Sequence, residues 1–374
     1  MKMKMKTILP LILPDDMIME ILLRLPVRTL LRFKCVCKSW LFLISHPQFT
    51  KSHFDLAAAP KCRLLLRLSE NTAEVNSIDI EAPLHDDLAN VVFNIPYPSL
   101  IPKFKSWGFI VGSCRGFILL SYRLLDLPNF VIWNPSTGIY KQIKNVPTHP
   151  FLCGIGYDSS TDDYVIVNVT LLICTKVHCF SSRTNTWSST KFTVSYNFGI
   201  SFLHGLFING ALHWLVFRSY DNVGVIIAYD VMEKSLSEIT LPDVVAIGLK
   251  SNLYSLSVMR GCLCIFSKPS LPAMLELWTL KEYKVQSSWT KLSCVLSSDY
   301  YDFSSIFSPL CFTRNSEIWG LDRNKLVRFN DKGELHERLV YWEMGSLIGA
   351  DCVMYRESLL PLPVQAIEDE QEQQ

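Results

Sequence analysis

The sequence predicts a small helical module followed by a large all-β domain, a β-propeller of about six blades. Two observations carry that expectation. Residues 13–40 place apolar side chains at helical spacing. Beyond residue 60, a strand–turn–strand element recurs five times, with its aromatic residue at Trp133, Phe180, Tyr229, Trp278 and Phe329, which are 47, 49, 49 and 51 residues apart. A recurrence in this range is the mark of radially repeated sheets.

The helical module comes first. Ile18, Ile21, Leu22 and Leu25 fall at i, i+3, i+4 and i+7, one stripe of a helix. Pro14 suits the start of that helix, and Asp15 and Asp16 suit the positive end of its dipole. Pro26 ends it or opens the next. A second stripe runs through Leu30, Phe33 and Cys37, and a third cluster of Trp40, Phe42, Leu43 and Ile44 precedes His46-Pro47. Three short helices bury too little to be secure alone, so the apolar surplus points to a partner protein.

The β domain begins after a junction at residues 57–60. Each recurring aromatic ends a strand and is followed by a polar turn, as in Trp133-Asn134-Pro135-Ser136-Thr137-Gly138. A second element precedes each one, a turn and then an apolar strand. It begins at Arg115-Gly116, Asp162-Asp163, Asn209-Gly210, Arg260-Gly261 and Asn315-Ser316. Five blades are visible from this spacing. Two strands are left over, around Cys62–Arg67 and Cys352–Tyr355, and they are expected to pair as a sixth, composite blade that removes the free edges. The alternative is a β-sandwich made of the same hairpins. Residues 1–12 read as a flexible N-terminus, 13–56 as the helical module, 61–364 as the β domain and 365–374 as a disordered acidic tail.

Composition bounds the function. Lys and Arg total 36 against 35 for Asp and Glu, so no overall field favours nucleic acid. Residues 1–56 are different, with nine basic and four acidic residues, which would complement an acidic partner. The 12 cysteines include no Cys-x-x-Cys and read as buried reduced thiols, implying cytoplasm or nucleus. The opening MKMKMKTILPLIL superficially resembles a secretory leader, but it contains Pro10 and runs directly into the first helix, so it is not read as one. No apolar run is long enough for a membrane span. The sequon Asn168-Val169-Thr170 lies in a strand-like run and reads as incidental.

Catalytic chemistry finds little support. Gly112-Ser113-Cys114-Arg115-Gly116 has the frame of a nucleophile elbow with cysteine, but Phe117-Ile118-Leu119-Leu120 follows as a strand where an elbow needs a helix. His178, His204 and His213 could act as bases. His213 sits between Leu212 and Trp214 inside a repeated strand, so a core or hydrogen-bonded role is favoured. No cofactor or metal is expected. Trp133, Trp187, Trp214, Trp278, Trp289 and Trp319 read as packing between blades.

Residues 13–49 resemble an F-box through Leu13-Pro14, Ile21-Leu22 with Leu25-Pro26, Leu30 with Phe33, and Val36-Cys37-Lys38-Ser39-Trp40. The rest resembles the plant F-box-associated domain, related to kelch-like propellers. That second likeness rests on Gly112–Phe117, Ile132–Gly138, Gly154–Asp158, Asn209–Trp214 and Ala228–Asp230. The resemblance implies a non-catalytic substrate receptor of an SCF-type ubiquitin ligase, binding a Skp-type adaptor and, through it, cullin and a RING subunit. The adaptor face it implies comprises Leu13, Pro14, Ile18, Ile21, Leu22, Leu25, Pro26, Leu30, Val36, Cys37 and Trp40. The β domain would take the target protein. Two alternatives stay open: a propeller that senses a small ligand or glycan, and a Skp-binding protein acting outside a ligase.

Overall fold

The computed structural model describes residues 14–363 apart from 57–61, 68–73, 82–91, 97, 99–108, 125–126, 149–151, 172–173, 199–203, 249–253, 268–273, 296–306, 313–316, 323–324, 331–333 and 341–350. Leu13, the 57–60 junction and the two expected tails at 1–12 and 365–374 lie outside the described residues.

The helical module has four helices where three are expected: α1 (Asp15–Leu23), α2 (Val27–Phe33), α3 (Lys38–Ser45) and α4 (Pro47–Leu56). Pro14 and Pro26 stand at the N-caps of α1 and α2 with extended backbone, as their fixed φ favours. The fourth helix is weakly marked in sequence. PQFTKSHFDL is mostly polar, and its buried residues Phe49, Thr50, His53 and Phe54 include two that read as surface types. Its stability comes from tertiary packing rather than from a clear apolar stripe.

The β domain is six antiparallel sheets. Sheet 2 comprises β4 (Phe109–Cys114), β5 (Phe117–Leu124), β6 (Leu127–Trp133) and β7 (Tyr140–Ile143). Sheet 3 comprises β8 (Leu152–Asp158), β9 (Asp163–Leu171), β10 (Thr175–Ser181) and β11 (Thr186–Phe192). Sheet 4 joins β12 (Tyr196–Phe198) and β13 (Leu206–Ile208) to β14 (Ala211–Arg218), β15 (Gly224–Asp230) and β16 (Leu236–Thr240), and is followed by helix α5 (Asp243–Gly248). Sheet 5 comprises β17 (Tyr254–Met259), β18 (Cys262–Ser267), β19 (Met274–Leu280) and β20 (Trp289–Val295). Sheet 6 comprises β21 (Phe307–Phe312), β22 (Ile318–Asp322), β23 (Lys325–Phe329) and β24 (Leu335–Val340).

Sheet 1 is composite, as expected. Its outer strands β1 (Cys62–Arg67), β2 (Glu74–Asp79) and β3 (Val92–Pro96) come from the start of the domain, and its inner strand β25 (Asp351–Arg356) comes from the end. β1 and β25 pair antiparallel, with Leu65 opposite Val353 and Leu66 opposite Cys352. The inner strands then neighbour one another in sequence: β25, β4, β8, β13, β17, β21 and β25 again. The sheets therefore close a ring, which decides against a sandwich.

Strand alternation explains why the sheets stack. Phe117 and Leu119 of β5 face Tyr164, Ile166 and Phe180 of sheet 3. Ile118 and Leu120 of the same strand face Leu65, Val75 and Tyr355 of sheet 1. Successive side chains of a strand point to opposite faces, so a continuous apolar run supplies two interfaces at once. The recurring aromatics obey one rule: Trp133 packs toward sheet 1, Phe180 toward sheet 2, Tyr229 toward sheet 3, Trp278 toward sheet 4 and Phe329 toward sheet 5. Each thus fills the gap to the preceding sheet.

The first hairpin turns also follow from sequence. Arg115 and Gly116, Asn209 and Gly210, and Arg260 and Gly261 each take two successive positive φ values, the geometry of a two-residue turn that matches strand twist.

Candidate functional site

The helical module has its own core, made of Leu22, Leu23, Val27, Leu30, Ile44, Phe49 and the distant Leu359. This corrects part of the expected adaptor face. Leu22 and Leu30 are 1% and 0% exposed, so they hold the helices together and cannot touch a partner directly. The helix stripe read from sequence mixes inward and outward positions: Ile18 and Leu25 pack partly into the core, whereas Ile21 is 49% exposed. Pro14, Pro26, Val36 and Cys37 are exposed, and Trp40 is half-buried against Phe33 with ring centroids 5.2 Å apart. The expected adaptor face omits Met17, Leu41 and Phe42, which are also exposed. Met17 is one turn from Ile21 on α1, so the two share a face.

Cys35 and Cys37 are another correction. The expectation of buried thiols fails for them, because they lie in the turn between α2 and α3 and are both exposed. Cys37 is the N-cap of α3 and not part of a helical stripe. Cys262 and Cys264 do share one face of β18, half-buried and buried. The ten cysteines whose side chains are described are free thiols.

The last helix and the end of the chain join the module to the propeller. Phe54 of α4 enters the core between sheets 2 and 3. The Arg356 and Arg115 guanidinium carbons lie 3.7 and 4.6 Å from its ring centroid, and Arg356 also donates to the Phe54 carbonyl. Arg115 is paired with Asp55 at 3.7 Å, and Lys51 with Asp162 at 3.5 Å. His53 bonds the Leu25 carbonyl through Nε2 at 2.8 Å, tying α4 to the end of α1. The module therefore sits on the end of the ring that carries the β4–β5 and β8–β9 turns.

Candidate catalytic groups fall elsewhere and serve packing. Cys114 ends β4, and β5 follows after a two-residue turn, so no helix backs it. It is buried, and burial pushes its thiol up to about 12. His213 is fully buried, with Nδ1 3.1 Å from the Leu206 carbonyl and Nε2 2.8 Å from the Tyr283 hydroxyl. Burial lowers it to about 4, as it does His204. Asn168 is 0% exposed, which closes the sequon to glycan attachment in the folded chain. Among the described residues no group of three or more His, Cys, Asp or Glu could hold a metal ion. Of the six tryptophans read as interior, Trp133, Trp214 and Trp319 are buried, while Trp187, Trp278 and Trp289 are half-exposed. Trp278 and Trp289 line an open groove of about 620 Å³ with Pro242, Asp243, Gln286 and Ser287. They stand on β19 and β20 of sheet 5, partly packed against the core shared with sheet 4.

A ring of six sheets with a helical module at one end defines the class: a β-propeller carrying an N-terminal interaction module. Residues 10–52 match the F-box domain, and residues 68–343 match the F-box associated beta propeller domain. The chain belongs to this family of F-box proteins with an associated propeller. It is 26% identical to F-box protein CPR1 of Arabidopsis thaliana, over 91% of this chain and 87% of that protein. It is 29% identical to an F-box/kelch-repeat protein of the same plant, over 75% of this chain and 78% of that one. TolB from Acinetobacter baumannii superposes with a TM-score of 0.47 and 11% identity, covering 79% of this chain and 67% of TolB.

Proposed function

We propose that this chain is a non-catalytic substrate receptor of an SCF-type ubiquitin ligase. The observation that carries the reading is apolar surface left on a module whose core is already complete. Met17, Ile21, Val36, Leu41 and Phe42 are 53, 49, 62, 48 and 75% exposed. Covering such side chains is worth about 25 cal/mol per Å² of apolar area, from which association costs are taken. A Skp-type adaptor is the partner an F-box implies, and cullin and RING subunits would follow through it. Residues 21–54 contain six basic and no acidic residues, so an acidic adaptor surface would fit.

The target would be taken at the end of the ring away from the module. β14 runs eight residues from the Asn209-Gly210 turn to Arg218, roughly 25 Å at the rise of a strand. At its far end the β14–β15 tip holds Tyr220, 77% exposed. That tip is braced below: Arg218 pairs with Asp221 at 2.7 Å and with Glu238 at 3.1 Å. A rigidly presented aromatic is the usual anchor of a protein contact. Transfer of ubiquitin would be the work of other subunits, accelerated by the raised effective concentration of a tethered target. The ten described free thiols would suit residence in cytoplasm or nucleus.

The test is co-purification of the full-length protein with a plant Skp-type adaptor and cullin, beside Ile21→Asp/Val36→Asp. Both substitutions are at exposed positions, so the fold should persist. Wild type is expected to carry both partners and the variant neither, at unchanged circular dichroism. A wild-type protein that carries neither partner would sink the proposal.

A further inference from the structure

The six residues after the last strand, Glu357–Leu362, lie outside both family matches, which end at residues 52 and 343. Yet their middle residues are packed into both units at the junction. Ser358, Leu359 and Leu360 are 1%, 4% and 6% exposed. Leu359 is part of the core of the helical module, beside Leu22, Leu30 and Ile44. Leu360, the next residue, belongs to the core between sheets 2 and 3. One peptide unit thus separates two hydrophobic cores.

The segment is held from both sides. On the propeller side, Asn134 Nδ2 donates to the carbonyls of Ser358 and Leu360 at 3.1 and 3.4 Å, and the Ser358 amide donates to Ser136 Oγ at 3.2 Å. The turn beneath it has room for no side chain: a Cβ on Gly116 would lie 2.2 Å from Ser358 Cβ. On the module side, Arg28 of α2 donates to Glu357 Oε1 at 3.2 Å. Arg63 of β1 pairs with the same carboxylate oxygen at 3.8 Å. The segment follows β25 directly, so its position is set by the pairing of β25 with β1 that closes the ring.

We infer that Glu357–Leu362 is a strap that completes the F-box core, so that a competent adaptor face forms only when the propeller ring has closed. Leu359 is then a positioning residue for adaptor binding: it touches no adaptor but supports the helices that do. The consequence is a coupling between the two ends of the chain. A receptor that is truncated or misfolded at its C-terminus would carry an intact F-box sequence but an unfinished F-box. This rests on the reading of the module as the adaptor-binding unit.

The experiment uses the full-length protein, wild type beside Leu359→Asp, Leu359→Met and Asn134→Asp. It reads adaptor affinity and, separately, amide hydrogen exchange in α1–α3 and in β9 and β14. Leu359→Asp is expected to weaken adaptor binding by about tenfold or more and to speed exchange in α1–α3 comparably, with β9 and β14 unchanged. Leu359→Met should restore both, because it keeps apolar volume. Asn134→Asp keeps the oxygen that accepts from the Ser136 and Thr137 amides but loses the donors to the strap, and should speed exchange in α1–α3 from a residue on sheet 2. Unchanged α1–α3 exchange in Leu359→Asp would overturn the inference. So would equal loss of protection in β9 and β14, since Leu359 would then be serving the propeller. If wild type binds no adaptor, the function proposal fails while the exchange measurement still decides the strap.

Discussion

Leu65→Ala tests whether the ring is closed by the two ends of the chain. Leu65 is fully buried on β1, between Val353 of β25 and Ser77 of β2 in the pairing register. Its side chain belongs to the cluster of Ile118, Leu120, Trp133 and Tyr355 between sheets 1 and 2. Truncation removes buried methyl groups and leaves a cavity that strand pairing on both sides keeps from collapsing. A cost of about 2–5 kcal/mol follows for a buried Leu of this kind. Against a typical domain stability of about 5–15 kcal/mol, that is a large fraction. The assay is urea unfolding followed by tryptophan fluorescence, with Trp133 in the same cluster as the local reporter. Ile139→Ala, at a position 47% exposed, is the control and should change stability by no more than about 0.5 kcal/mol. A loss below about 1 kcal/mol for Leu65→Ala would refute the closure, because a loosely attached terminal strand could shed the side chain without leaving a packed cavity.

Two further outcomes follow from buried groups. His213 and His204 are held at about 4, below their ordinary 6.5, because burial disfavours the charged ring. The unfolded chain therefore takes up protons first as pH falls. The stabilisation is complete above about pH 6.5 and drains away toward about 4, so urea midpoints should drop over that window, and less steeply in His213→Gln. Thiol alkylation of the native protein at pH 7.5 should label the exposed Cys35 and Cys37 quickly. Cys114 and Cys153, each buried and pushed up to about 12, should react only after denaturation. Native labelling of Cys114 would contradict its place in the core.

The sequence by itself determined the repeating hairpins of the β domain, and the contacts between inner strands decided that they close a ring and not a sandwich. The reason is that each strand must satisfy two neighbours with alternating side chains, so the repeat and its recurring aromatics are written locally: Trp133, Phe180, Tyr229, Trp278 and Phe329 sit at one register and perform one task. The unpaired strands at Cys62–Arg67 and Cys352–Tyr355 were legible for the same reason, since a ring leaves nothing else for a spare strand to join. The F-box was legible from its ordered motif. What sequence left undecided was which of its apolar residues face in. Ile21 and Leu22 are neighbours of similar character, and only the packing of four helices makes one 49% exposed and the other 1%. Helix α4 escaped notice because its buried face mixes Phe49 and Phe54 with Thr50 and His53, the last held by a carbonyl, so no continuous apolar period marks it. The strap is the extreme case. Leu359 and Leu360 are adjacent and alike, and nothing local assigns one to the F-box core and the other to the propeller. That division depends on contacts more than 200 residues apart along the chain, such as those from Asn134, and such contacts exist only once the ring has closed.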